Sequence, residues 1–74
     1  MKEKLLEIIA ENAGRDAAEL NSDMRLVGDL SLSSFDLANI VVQIEEECGL
    51  HIPDERFPEL ETVGDVLRIL EEVE

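Results

Sequence analysis

Aromatic residues are nearly missing from this 74-residue chain: it has no tryptophan, no tyrosine and two phenylalanines, 3% in all. Any core must therefore be built from leucine, isoleucine and valine. A single cysteine, Cys48, excludes an internal disulfide and suits a reducing compartment. No apolar run approaches the ~18 residues of a membrane span, and "MKEKLLEIIAEN" at the start lacks the apolar stretch of a secretion leader. The expected location is the cytoplasm. Basic residues are also scarce, six Lys and Arg against nineteen Asp and Glu, for a net charge of −13. The deficit is uneven: residues 1–28 hold four basic and six acidic residues (−2), residues 29–74 two and thirteen (−11). Such a field repels nucleic acid and anionic membrane and steers basic protein surfaces into contact. What remains is 45% hydrophobic, too much for a disordered acidic tail. One small domain over residues 1–74, monomeric, is the expectation.

Periodicity predicts three amphipathic helices. The first runs from about Lys2 to Asn12, with Leu5, Ile8, Ile9 and Asn12 or Ala13 in register and Gly14 as its stop. The second starts near Ser33–Phe35 and ends at Gly49, with Leu37, Ile40, Val41, Ile44 and Cys48 as the buried stripe. The third begins at Thr62, where Thr62 and Asp65 resemble a capping box, and its stripe is Val63, Val66, Leu67, Leu70 and Val73. Pro53 and Pro58 bracket "DERF", room for a turn or two of helix. The segment from Gly14 to Leu32 is long for a connection in so small a domain. With Leu20, Met24, Leu26, Val27, Leu30 and Leu32 as apolar anchors, it reads as an ordered wrap. "RDAAEL" allows a helical turn within it, and "NSD" is turn chemistry. The fold class is all-α: three main helices, a short one before the last, and a long ordered loop between the first and second.

The stretch "SLSSFDL" at residues 31–37 sets three serines ahead of the second helix. On that helix's wheel Phe35 and Val42 fall outside the buried stripe, on an arc shared with Asn39 and Glu46. Stranded apolar residues are common on protein surfaces, but a pair rimmed by Asp36, Glu45 and Glu46 also fits a docking patch with anchors inside and charge outside. Both readings stand on the sequence. No chemistry of the chain's own emerges. The sole histidine, His51, lies beyond the far end of a helix of about 15 residues, roughly 20 Å from the serines at ~1.5 Å per residue, so no serine has a base within reach. Cys48 sits in the apolar stripe without a basic neighbour and reads as a small core residue. No calcium loop, zinc spacing or glycine-rich phosphate loop occurs. No catalytic residue and no metal ligand is assigned, and the chain reads as no enzyme.

Taken in order, "SSFD", "IEEECG", "IPD" at Ile52–Asp54 and "TVGDV" at Thr62–Val66 resemble the acyl carrier protein family, and the likeness covers nearly the whole chain. The resemblance implies an acyl-carrier helical bundle in which the motif serine carries 4'-phosphopantetheine covalently. Aligned back from "GLHIPD", that serine is Ser34. A phosphodiester at the start of a helix meets free N–H groups and the positive end of the helix dipole. Ser33 is placed to cap the helix, with Asp36 three residues on, and Ser31 belongs to the approach loop. By the same resemblance the partners are a phosphopantetheinyl transferase and basic-surfaced acyl-transferring or synthase enzymes of fatty-acid, lipid or polyketide-like biosynthesis. The docking residues are Phe35, Asp36, Asn39, Val42, Glu45 and Glu46. Reversing Glu45 and Glu46 to lysine is expected to slow docking and leave the helices intact.

Two positions depart from the family pattern. The acid usual before the modified serine is Ser33 here, and Asn39 stands where a glutamate is typical. Both point to a specialised carrier with dedicated partners. The alternative is an acyl-carrier-like interaction protein that binds a basic partner without a prosthetic group.

Overall fold

Helices α1 (Lys2–Ala13), α2 (Ser34–Cys48) and α3 (Val63–Val73) follow one another along the chain, with short 3-10 turns at Ala17–Glu19 and Asp54–Glu59 in the connections. This computed structural model describes residues 2–73. Among these residues no strand forms, and one antiparallel bridge joins Arg25 to Thr62. The architecture is the all-α one expected, including the ordered wrap and a short helix that starts after Pro53 but runs on through Pro58 to Glu59.

Local chemistry sets the helix ends. Gly14 adopts a left-handed φ of 68°, and the Arg15 N–H closes on the Ala10 carbonyl at 2.9 Å, which ends α1 in a glycine cap. At the head of α2 the Asp36 N–H donates to Ser33 Oγ at 3.2 Å while the Ser33 N–H donates to the Asp36 carboxylate at 2.9 Å. Two otherwise unpaired donors are satisfied by this reciprocal box. The helix stops where Gly49 turns left-handed. Thr62 and Asp65 repeat the box at α3, with bonds of 3.0 and 3.1 Å. Burial pushes the Asp65 carboxyl upward. Hydrogen bonds from the Thr62 backbone and side chain, Arg68 and the Glu61 N–H outweigh it and hold the group below its ordinary value.

One contiguous core joins Leu5, Ile8 and Ile9 of α1, Ile40 and Ile44 of α2, and Val63, Val66, Ile69 and Leu70 of α3. Leu37, Val41 and Cys48 pack half-buried along its edge. Two buried residues of the main helices, Ala10 and Ile69, lay outside the expected stripes, because each helix is covered over a wider arc than its strongest periodic positions mark. The wrap contributes Leu26, Leu30 and Leu32 as buried side chains. Val27, expected as another anchor, is instead 58% exposed. Leu26 is fully buried and tied at both backbone groups: its N–H donates to Glu61 at 2.9 Å and its carbonyl accepts from Leu32 at 3.0 Å. With Leu26 fixed inward, the next side chain points out.

The wrap is strapped to the start of α3. The Val63 N–H donates to Met24 and the Gly64 N–H to Ser22, each at 3.0 Å, which satisfies donors that a helix start leaves open. The approach is so close at Gly64 that a Cβ there would sit 3.1 Å from the Ser22 carbonyl oxygen. This strap, with the Leu26–Leu32 bond, positions the loop against the head of α2.

Ser31, just before that head, holds a left-handed φ of 57° without being glycine. Relief of that conformation, less the extra freedom of an unfolded glycine, should make Ser31→Gly more stable by roughly 0.5–1 kcal/mol. Thermal melting checks this, and an unchanged or lower midpoint would show that the serine is held by more than its backbone.

Charge works against the fold elsewhere. Both arginines of the acidic half serve one corner: Arg56 pairs with Glu59 (2.6 Å) and Glu72 (3.2 Å), and Arg68 with Glu72 (3.1 Å) and Asp65 (3.4 Å). Among the described residues α2 receives Lys4 on Glu47 at 2.9 Å and His51 on Glu45 at 3.2 Å. The remaining acids repel one another, and ~0.15 M salt shortens the Debye length to about 8 Å. Raising salt from near zero to that level should lift the melting midpoint by roughly 5 °C, about 1 kcal/mol for a domain of this size. A flat response would show that the repulsion is already relieved within the fold.

Candidate functional site

The three serines stand in three different situations. Ser31 is in the strained loop turn. Ser33 caps α2, its Oγ accepting from the Asp36 N–H and donating to the Asp36 carboxylate at 3.0 Å. Ser34 is the first residue of α2, exposed, and its hydroxyl makes no hydrogen bond among the described residues. The intrahelical ladder begins with the Leu37 N–H on the Ser33 carbonyl at 3.0 Å. With the Asp36 N–H held by the cap, the N–H groups of Ser34 and Phe35 are left open toward solvent, beside the positive end of the helix dipole. A phosphodiester on Ser34 Oγ fits this turn. The one acid within it, Asp36, is turned onto the Ser33 N–H and hydroxyl.

A groove of about 210 Å³ opens below. Ala38, Val41 and Val42 of α2 form one wall, and Ile52, Pro53 and Phe57 face them from the chain that returns after Gly49. At about 100° per residue, Ser34, Ala38, Val41 and Glu45 lie along one face of α2, so the groove starts one turn below the Ser34 hydroxyl. An apolar chain tethered at that hydroxyl has a sheltered surface within reach. Phe57, half-buried, is the groove's aromatic member and was not among the site residues expected from sequence. Its place between two prolines, opposite an apolar helix face, was the available signal.

The docking residues divide. Phe35 is 75% exposed and Val42 49% exposed, one above the other on α2 with Asn39 and Glu46, which are also exposed. Asp36 is half-buried in the cap. Glu45 turns the other way: its Oε2 accepts the Ile52 N–H at 2.8 Å and sits 3.2 Å from His51 Nδ1. It staples the end of α2 to the segment that walls the groove. The His51 imidazole is largely in solvent, and besides the staple it lines the groove together with Glu45 and Asp54.

Residues 3–70 match the family described as "Phosphopantetheine attachment site". The chain is 41% identical over 69 residues to an acyl carrier protein of Solidesulfovibrio magneticus, covering 93% of this chain and 88% of that one. An acyl carrier protein of Rickettsia typhi is 33% identical over 72 residues, covering 97% and 84%. Among solved structures, the apo doublet acyl carrier protein from prodigiosin biosynthesis superposes with a TM-score of 0.75 at 30% identity, over 95% of this chain and 34% of that longer one. A Mycobacterium tuberculosis protein described as a candidate acyl carrier shares the fold over 97% of both chains, with a TM-score of 0.86 at 23% identity.

Proposed function

The chain belongs to the acyl carrier protein family, and from that premise we propose that Ser34 is its attachment residue and that it carries acyl intermediates for fatty-acid or related, polyketide-like biosynthesis. Members of the family are carriers and not enzymes, and they hold 4'-phosphopantetheine covalently. The group supplies a terminal thiol on which an acyl chain is held as a thioester.

The observation that carries this reading is the unengaged, exposed Ser34 hydroxyl at the first position of α2, one turn above an apolar groove. In attachment, Ser34 Oγ forms a bond to the phosphorus of coenzyme A's pyrophosphate that bears the pantetheine. The pyrophosphate P–O bond breaks, and adenosine 3',5'-bisphosphate leaves with its electron pair. The hydroxyl proton goes to a base of the transferase, because the chain's own histidine is occupied beyond the far end of α2. Open N–H groups at Ser34 and Phe35 then face the phosphodiester. Partner enzymes with basic surfaces dock on Phe35, Asn39, Val42 and Glu46, where charge accelerates encounter and the two apolar side chains supply buried contact.

A specialised pathway is the finer form of the proposal. It is supported by Ser33 in place of the usual acid, by Asn39 in place of the usual glutamate, and by the likeness to a carrier from prodigiosin biosynthesis. A single domain over residues 1–74 and a cytoplasmic location complete it, the latter supported by a lone cysteine. The direct test is a peptide map after incubation with coenzyme A and a phosphopantetheinyl transferase: the added mass falls on the peptide fragment containing Ser34, at that residue.

A further inference from the structure

The groove below Ser34 has apolar walls, but three of the side chains that line it are polar: Glu45, His51 and Asp54. Of the α2 residues in its lining, Glu45 lies farthest from Ser34, roughly 16 Å along the axis at ~1.5 Å per residue. His51 is held beside it, and Asp54 follows by two residues the Ile52 N–H that Glu45 accepts. Every polar atom left free on these side chains is an acceptor. Glu45 gives Oε2 to Ile52 and His51, and its Oε1 has no partner among the described residues. The exposed Asp54 carboxylate has none among them either. A neutral His51 that donates from Nδ1 to Glu45 presents Nε2 with a lone pair. Among the described residues no lysine or arginine lines the groove, and the cation nearest in sequence, Arg56, is bound to Glu59 and Glu72.

We propose that the groove selects a short acyl cargo whose far end carries an ammonium group. This deepens the reading of Ser34 as the attachment residue and rests on it. Size sets the first limit. A volume of about 210 Å³ holds roughly seven groups of the size of a water or a methylene, at ~30 Å³ each, so a short chain fills it. Reach sets no limit, because an extended phosphopantetheine arm spans roughly 17 Å at ordinary bond lengths. Polarity sets the second limit. An apolar chain end brought against Glu45 strips water from the carboxylate without replacing the lost hydrogen bonds. A carboxylate end meets like charge on Glu45 and Asp54. An ammonium end carries three donors and no acceptor, the complement of a surface that offers acceptors alone, while its methylenes lie on the apolar walls.

The test loads the whole chain at Ser34, from coenzyme A analogues and a broad-specificity phosphopantetheinyl transferase, with cargoes of similar length: 5-aminopentanoyl, hexanoyl and glutaryl. Each is joined through an amide in place of the thioester, so that none hydrolyses or cyclises. At about pH 8, above the ordinary titration range of histidine, the aminopentanoyl chain should melt roughly 5 °C above the hexanoyl chain, and the glutaryl chain below both. Asp54→Asn leaves the Glu45 staple in place and should remove about half of the aminopentanoyl advantage. As a second readout, the methylenes of the aminopentanoyl cargo should show nuclear Overhauser contacts with Phe57 and Val41. If the three loaded chains melt together and no contact to Phe57 appears, or if hexanoyl stabilises most, the groove does not read the far end of the cargo. The proposal is then overturned, with attachment at Ser34 intact. If the native chain gains no mass at Ser34 from any analogue, the attachment reading fails, and this one with it.

Discussion

Ser34→Ala should gain no mass with coenzyme A and any transferase, while the native chain gains one phosphopantetheine. The loss is complete because no other oxygen stands in the same position. The Ser33 hydroxyl is engaged twice by Asp36, and Ser31 lies in a left-handed loop turn ahead of the helix. The same substitution should leave the melting midpoint nearly unchanged, since the Ser34 side chain is exposed and bonds to nothing. Ser33→Ala should do the opposite. It removes an N-cap, which typically costs about 1 kcal/mol, so the midpoint falls while the mass still shifts. Ser33→Asp keeps a capping oxygen and restores the acid usual in the family, so it should hold stability and speed modification by a standard transferase. A phosphodiester mapped to Ser33 or Ser31 would move the attachment point, and a chain that no transferase modifies would return the interaction-protein reading.

What the sequence made legible was whatever rests on neighbours a few residues apart. The Ser33–Asp36 and Thr62–Asp65 boxes, the glycine stops at Gly14 and Gly49, and the 3-10 turn that starts after Pro53 all answer to chemistry within four or five positions. The stranding of Phe35 and Val42 outside the stripe is helix geometry and could be read in the same way. Ser34 itself is reached through family resemblance, and the structure adds that its hydroxyl, unlike that of Ser33, makes no hydrogen bond among the described residues. Burial decided by distant segments stayed hidden. Ile69 is covered because α3 is enclosed over a wide arc, and Val27 points outward because Leu26 is pinned from two sides, by Glu61 and by Leu32. Glu45 is the clearest case. Periodicity sets it beside Glu46 among the solvent-facing acids, and only the reversal of the chain after Gly49 brings the Ile52 N–H back to it.

That reversal separates two adjacent glutamates by role, with a large expected difference. The Glu45 side chain is 27% exposed, and one oxygen serves both the Ile52 N–H at 2.8 Å and the His51 ring at 3.2 Å. Ile52 is buried, so losing this acceptor leaves its N–H unpaired at the edge of the core. Hydrogen bonds to charged groups contribute about 1.5–3 kcal/mol, and Glu45→Ala should lower the melting midpoint by roughly 10 °C on the scale of 4–8 °C per kcal/mol for a chain this short. Glu45→Gln retains an acceptor for Ile52 and loses only the charge beside His51, so it should recover most of that loss. Glu46, exposed and without an ion pair among the described residues, should tolerate alanine within about 0.5 kcal/mol. Glu46→Lys should instead slow association with a basic-surfaced partner and flatten its dependence on salt. Reversing both glutamates together, expected from sequence to spare the helices, should therefore destabilise the fold through Glu45 and slow docking through Glu46. Thermal melting of the single variants, paired with association rates at two salt concentrations, separates these effects. If Glu45→Ala melts with the native chain, the staple contributes nothing. The Ile52 segment is then held by its side chain alone, and the groove wall owes its position to packing and not to α2.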